Sequence, residues 1–330
     1  MFNHDYKNIK HLMHIFIYLT IANTIFLQAM EQNKKHLPII LVSGICADVN
    51  GMDPLIALIK KHVSPNVYVK HPIIGLGKIS SFTNVKEQAK ELAQDIFNDP
   101  ELRNGFNLVA HSQGGLLARY YIQRYNKPPV HNYIALGSPQ RGVNGIPGDI
   151  DTVYPSLHLL EEEVSLLLYT VGFQKWLSFA GYWNDSLHHE KYLAECSFLP
   201  YLNNEKNHKY FNLFKENLCK LNNMVLIKSS QEYIVEPAES CHFSFYKNGS
   251  DTEIEPLFES DIYKNDTLGL KKLHKSNRLH FRHADCLHTD YESDESNFIA
   301  NVLPFLIEEN AAKTLNKKEK KESTSKCILQ

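Results

Sequence analysis

The sequence predicts an α/β fold, a mostly parallel central sheet with helices on both faces and a helical insertion in its second half. Three observations lead there. Over residues 37–140, short apolar runs of strand length alternate with amphipathic helical patterns, the order produced by parallel strands joined through crossover helices. Residues 107–115 read N-L-V-A-H-S-Q-G-G, apolar up to a serine and glycine-rich after it, which marks a sharp turn from strand into helix. From about residue 155 to 222 the patterns are helical, and strand-like runs resume only at 224–228 and 279–283. With 330 residues, 43% hydrophobic content and a net charge of −2, the chain can bury a large core, and its balanced charge argues against nucleic acid as a partner.

Taken in order, residues 37–43 (L-P-I-I-L-V-S) read as a buried parallel strand, followed by the loop Gly44-Ile45-Cys46-Ala47-Asp48. Asp53 and Pro54 open a helix that runs to His62. A second strand is expected over 66–69, a helix over 85–97, the strand into the serine over 106–110, a helix over 116–125 and a further strand over 132–136. In the insertion, about 143–222, the apolar runs 157–160 and 164–171 are richer than one packing stripe needs; they either line an apolar channel or pack the insertion on the body. A closing helix is expected over 298–308.

The chemistry centres on Ser112. A strand that ends on a serine held in a tight turn, with small neighbours, presents the hydroxyl above the sheet as an activated nucleophile. The usual G-x-S-x-G appears here as A-H-S-Q-G, with Ala110 in the first glycine's place. The bland alternative is a serine in an ordinary loop. A serine hydroxyl needs a histidine to take its proton and a carboxylate to fix that histidine's tautomer. In the α/β-hydrolase fold these follow in the order serine, acid, histidine, with the insertion lying over the active site. Glu232, just past the 224–228 strand, is the first choice of acid, with Glu236 and Glu239 behind it. His288 lies in the loop before the closing helix and is preferred as base, while His283 belongs with the strand. An oxyanion needs two backbone N–H donors; Gln113, after the serine, supplies one and Ile45, beyond the first strand, the other. No cofactor is called for. His188-His189-Glu190 with Asp185 can be drawn as a metal site, but adjacent histidines point apart and no H-E-x-x-H is present, so no metal is expected.

The two ends read differently. Lys7 and Lys10 precede an apolar run over 12–27 that ends in Leu27-Gln28-Ala29, as in a cleaved signal peptide over residues 1–29. A catalytic domain is expected over 30–310 and a lysine-rich, disordered tail over 311–330. The chain ends Cys327-Ile328-Leu329-Gln330, which fits a prenylation box, a cytosolic modification that conflicts with the leader and is taken as accidental. In a lumenal protein the triplets beginning at Asn184, Asn248 and Asn265 become glycan sites. Six scattered cysteines lack C-x-x-C spacing and leave room for one or two disulfides.

Beyond the Ser-Gln-Gly-Gly turn, several stretches resemble the palmitoyl-protein thioesterase family: I-G-L-G-K-I-S at 74–80, Asp99-Pro100-Glu101-Leu102, Gly181-Tyr182-Trp183-Asn184-Asp185, Ser197-Phe198-Leu199, Ile234-Val235-Glu236-Pro237, Phe243-Ser244-Phe245-Tyr246, Leu268-Gly269-Leu270-Lys271 and Pro304-Phe305-Leu306. They keep the family's order across about residues 37–306. The resemblance implies Ser112 as nucleophile, His288 as base, and Ile45 and Gln113 as oxyanion donors. The family acid is an aspartate where this chain has Glu232; Ser43 stands where a histidine is common, and Trp183-Asn184-Asp185-Ser186 replaces Trp-His-Asp-Pro. It implies a lysosomal or secreted serine thioesterase that acts on S-acylated proteins or peptides, or on acyl-CoA. A lipase or carboxylesterase of the same fold and a non-catalytic lipid-binding relative are the rival readings.

Overall fold

A computed structural model describes residues 36–75, 77–145 and 161–307. The leader, the lysine-rich tail with Cys327, and residues 146–160 of the insertion lie outside the described residues.

Six strands form one parallel sheet: β1 (Ile39–Val42), β2 (Val69–Lys70), β3 (Phe106–His111), β4 (Val130–Leu136), β5 (Asn223–Gln231) and, after a small hairpin, β8 (Leu279–Leu287). Their spatial order is β2-β1-β3-β4-β5-β8. Burial on both faces explains why β1 and the central parts of β3, β4 and β5 are continuous apolar runs. Side chains alternate between faces: Ile39 and Leu41 of β1 enter one core with Val109 and Ile134, while Ile40 and Val42 enter the other with Leu108 and Ala110. The first core is covered by α1 (Asp53–His62) through Leu55 and Ile59. The second is covered by α2 (Val85–Phe97), whose Asn84 cap accepts from the Lys86 N–H at 2.9 Å, and by α3 (Gln113–Arg124), buried along almost its whole length. Truncating a fully buried leucine there, such as Leu92, to alanine costs about 2–5 kcal/mol.

Between β4 and β5 the described chain is helical: α4 (Glu161–Leu168), α5 (Val171–Trp176), α6 (His189–Glu195), α7 (Leu199–Leu202) and α8 (Phe211–Leu218). An antiparallel hairpin of β6 (Phe245–Tyr246) and β7 (Ile254–Glu255) and two short helices, α9 (Asp261–Lys264) and α10 (Leu270–Lys275), precede β8.

The structure departs from expectation at several boundaries. The second strand is only Val69–Lys70 rather than 66–69, and the hairpin was not anticipated. β5 runs on to Gln231 and β8 to Leu287, so Glu232 and His288 each stand one residue past a strand end. The closing helix is three pieces, α11 (Glu295–Asn297), a π turn (Phe298–Val302) and a 3-10 turn (Leu303–Phe305), because Pro304 has no N–H to continue an α-helical ladder.

The chain leaves β1 for β2 on one side of the sheet and returns to pair β3 on the other. Loops after β1 and β3 therefore diverge at this reversal, leaving the crevice at the carboxyl ends of strands where open α/β sheets bind ligands.

Candidate active site

Ser112 sits where β3 meets α3, at φ 52° and ψ −129°. A non-glycine residue in that region is strained and persists only when its surroundings fix it. Its N–H donates to the Leu136 carbonyl at 2.9 Å and its carbonyl accepts from the Gly115 N–H at 3.0 Å. The glycines that follow are required by contact. A Cβ on Gly114 would lie 2.5 Å from the Val42 and Ser43 carbonyl oxygens, and one on Gly115 would lie 2.1 Å from Ser138 Oγ. Ala110, in the usual glycine position, fits inside the core with its methyl group buried. The hydroxyl of Ser112 does not cap α3, so it is left for other work.

His288 opens the turn after β8 and is 5% exposed. Its Nδ1 donates to Glu232 Oε1 at 2.7 Å, and the Glu232 side chain is fully buried. The same oxygen accepts from the Ile234 and Val235 N–H groups, each at 3.1 Å. Burial alone would raise the Glu232 pKa, but the His288 hydrogen bond and charge and the two backbone donors bring it below the ordinary value. Burial lowers the His288 pKa and the charge of His111 adds to that, while the bond to Glu232 works the other way; the net direction is down. With Nδ1 engaged as donor, Nε2 is the basic nitrogen.

The other candidates go elsewhere. Glu236 accepts from Tyr246 Oη at 2.6 Å, Glu239 pairs with Lys228 Nζ at 2.9 Å, and His283 is exposed within β8. His188 Nδ1 bonds Asp185 Oδ2 at 2.9 Å, and among the described residues no group of three metal-ligating side chains is assembled.

Ile45 lies in the loop after β1, and among the described residues neither its N–H nor that of Gln113 has a hydrogen-bond partner. Gly44 packs on the serine: a Cβ there would be 2.9 Å from Ser112 Cβ. Ser43 Oγ meets His71 Nε2 at 3.1 Å, and Cys46, at φ 60°, donates its N–H to Ser80 Oγ at 2.8 Å. A buried amide network reaches this loop from the other donor. Gln113 Nε2 donates to Gln88 Oε1 at 3.2 Å, Gln88 Nε2 donates to the Ser80 carbonyl at 2.8 Å, and Ser178 Oγ donates to Gln113 Oε1 at 2.6 Å. Sequence reasoning missed this network and also a pair formed by His111 Nδ1 and Glu292 Oε1 at 2.6 Å. The available signal was adjacency: His111 precedes Ser112, and Glu292 lies four residues after His288.

Two expectations are corrected. Asn184 is buried and its Nδ2 donates to the Arg141 carbonyl at 2.8 Å, so a glycan there is incompatible with this packing; Asn248 and Asn265 are exposed. The five described cysteines, Cys46, Cys196, Cys219, Cys241 and Cys286, are free thiols rather than disulfide partners. Burial pushes Cys196 up to about 12 and Cys286 to about 11.

Comparison with known proteins adds a family. The model for palmitoyl protein thioesterase matches residues 38–288. Palmitoyl-protein thioesterase 3 of Dictyostelium discoideum is 40% identical over 82% of this chain and 92% of its own length. Palmitoyl-protein thioesterase 1 of Caenorhabditis elegans is 34% identical over 76% and 86%, and the lysosomal thioesterase PPT2-B of Xenopus laevis is 30% identical over 74% and 83%. A match that runs from the first strand of the sheet to the histidine after its last places the whole catalytic body in one lineage: the chain belongs to the palmitoyl protein thioesterase family of thioester hydrolases.

Proposed function

We propose that this chain is a serine thioesterase that removes long-chain fatty acyl groups, palmitoyl above all, from cysteines of S-acylated proteins or peptides, or from acyl-CoA. The carrying observation is the Glu232–His288 bond at 2.7 Å on the strand ends beside the Ser112 turn. In this reading Ser112 Oγ attacks the thioester carbonyl and His288 Nε2 takes its proton. Glu232 holds the histidine tautomer and stabilises the imidazolium. The oxyanion is received by the N–H groups of Ile45 and Gln113, and the positive end of α3 supports it. The C–S bond breaks, the thiol leaves with the proton from His288, and water, activated by the same base, releases the fatty acid. A thiol of pKa about 8.5 needs less help in leaving than an amine. No metal or other cofactor takes part.

The placement in the cell that accompanies this reading is lysosomal or secreted: residues 1–29 act as a leader, the relative from Xenopus laevis is named a lysosomal thioesterase, and Asn248 and Asn265 are the exposed glycan acceptors. Residues 30–310 form the catalytic domain, 143–222 its insertion and 311–330 a tail. The deciding assay measures hydrolysis of a palmitoyl thioester and a matched oxygen ester by the purified chain and by Ser112→Ala. Thioester turnover lost in the variant is expected. Preference for the oxygen ester would make the protein a lipase or carboxylesterase, and absence of turnover together with no fluorophosphonate labelling of Ser112 would leave a lipid-binding protein.

A further inference from the structure

His111 and Glu292 form a second histidine–carboxylate pair against the first, and the triad described above makes no use of it. His111 is the last residue of β3, joined by a peptide bond to Ser112, and Glu292 lies two residues past the 3-10 turn His288–Asp290. The pair is 2.6 Å apart and nearly buried, at 10% and 13% side-chain exposure. The His111 ring stacks obliquely on that of His288 with centroids 4.6 Å apart, and Tyr291 flanks both at 5.7 and 6.2 Å. A hydrogen bond between residues adjacent to the serine and to the histidine ties the two chain segments together. A surface histidine would be free to rotate away, but this one is held on three sides.

We propose that the His111–Glu292 pair is a positioning element that clamps the serine strand to the histidine turn and, by holding a proton on His111, keeps a second proton off His288 at acid pH. The inference rests on the triad reading above. Two imidazolium ions less than 5 Å apart repel, so the one with the better counterion is protonated first and the other stays a free base. Burial presses His111 toward its neutral form, but the Glu292 carboxylate outweighs burial and raises its pKa; Glu292, which burial alone would raise, is correspondingly lowered by His111. The charged or titratable groups facing His288 are Glu232 from the loop after β5, His111 from β3, and Glu292 and Tyr291 from its own turn. Those facing His111 are Glu292, Glu232, His288 and Tyr291, with the thiols of Cys241 and Cys286 behind Tyr291. A free-base His288 is what the acylation step needs, so the pair extends turnover into acid solution, where an isolated histidine would be silenced.

The test is the pH dependence of kcat/KM for a palmitoyl thioester, in the full chain and in His111→Asn and Glu292→Gln. Asparagine keeps a donor for Glu292 but no charge, and leaves Glu292 as an uncompensated anion beside His288. Its acid limb is expected to move up by about one pH unit, the effect of one charge at this range. Glu292→Gln lets His111 lose its proton and is expected to move the limb in the same direction by less. An unmoved limb in both variants, or movement toward lower pH, would overturn the proposal, even with kcat reduced. If either variant turns over too slowly, the pH dependence of Ser112 labelling by a fluorophosphonate gives the same limb. Absence of Ser112 labelling in the unmodified chain would instead refute the triad reading.

Discussion

Shortening Glu232 to aspartate tests the geometry most directly, because the contact with His288 is made at the full reach of the glutamate side chain. Removing one methylene withdraws the carboxylate by about 1.5 Å. Glu232 Oε1 now stands 2.7 Å from His288 Nδ1 and is held in place by the Ile234 and Val235 N–H groups. Withdrawn, it would sit roughly 4 Å from the ring nitrogen, outside hydrogen-bond range. The carboxylate sits in a close-fitting pocket: Gly137 leaves so little room that a Cβ there would lie 3.1 Å from Glu232 Oε2 and 2.6 Å from the Tyr291 ring. Loss of one charge-assisted hydrogen bond is worth about 1.5–3 kcal/mol, hence kcat/KM for a palmitoyl thioester should fall roughly 10- to 150-fold. KM should change little, since the carboxylate is fully buried behind His288. Steady-state kinetics at neutral pH decide the matter. Activity of Glu232→Asp within threefold of the unmodified protein would refute the claim that this bond orients His288.

Three further outcomes follow from other parts of the site. Gly44→Ala forces a methyl to 2.9 Å from Ser112 Cβ, and should lower both kcat and the rate of fluorophosphonate labelling by at least about tenfold, as expected when a reacting atom is misplaced by ångström amounts. Gln88→Leu removes the acceptor of the buried Gln113 side-chain amide; leaving that group unpaired should cost about 1–3 kcal/mol, read as a lower denaturation midpoint together with lower kcat. His242 makes the fold sensitive to acid. Burial lowers its pKa to about 4, with the charges of His283 and Lys228 contributing. The unfolded chain therefore takes up a proton below about pH 6.5 that the folded chain refuses until about 4, so this residue makes stability fall as pH drops through that window. From pH 8 to pH 5 its share is about 2 kcal/mol, and His242→Gln should remove that share of the acid-induced change in urea denaturation. His111 acts in the opposite sense: with a raised pKa, its contribution is present at acid pH and fades as pH rises through the folded value.

How much of the fold and site is legible in the sequence depends on how local each signal is. The inner strands were visible because a strand buried on both faces is a continuous apolar run, as in residues 39–42 and 224–227. The serine turn was visible because the serine and its two glycines are consecutive in the chain, although the groups that demand Gly114 and Gly115, the Val42 and Ser43 carbonyls and the Ser138 side chain, are distant in sequence. Glu232 and His288 were found by their positions after strands, although both strands run longer than their apolar cores. Asn184 misled because its sequence triplet says nothing about burial, which Arg141 and the surrounding helices impose. His111 and Glu292 escaped for the same reason: each is an ordinary polar residue, and only the stacking of β3 against the turn after β8 makes them a pair.

The hydrogen bond from Ser178 to Gln113 joins the segment between α5 and α6 to the residue that follows the nucleophile, and the Ser178 N–H also donates to the Ser81 carbonyl at 2.9 Å. A movement that lifted this segment to let a fatty acid depart would strip Gln113 of a partner at the same moment. The segment and the serine turn thus share one fastening, so a substitution at Ser178, far from the nucleophile in sequence, reaches the residue beside it through a single hydroxyl.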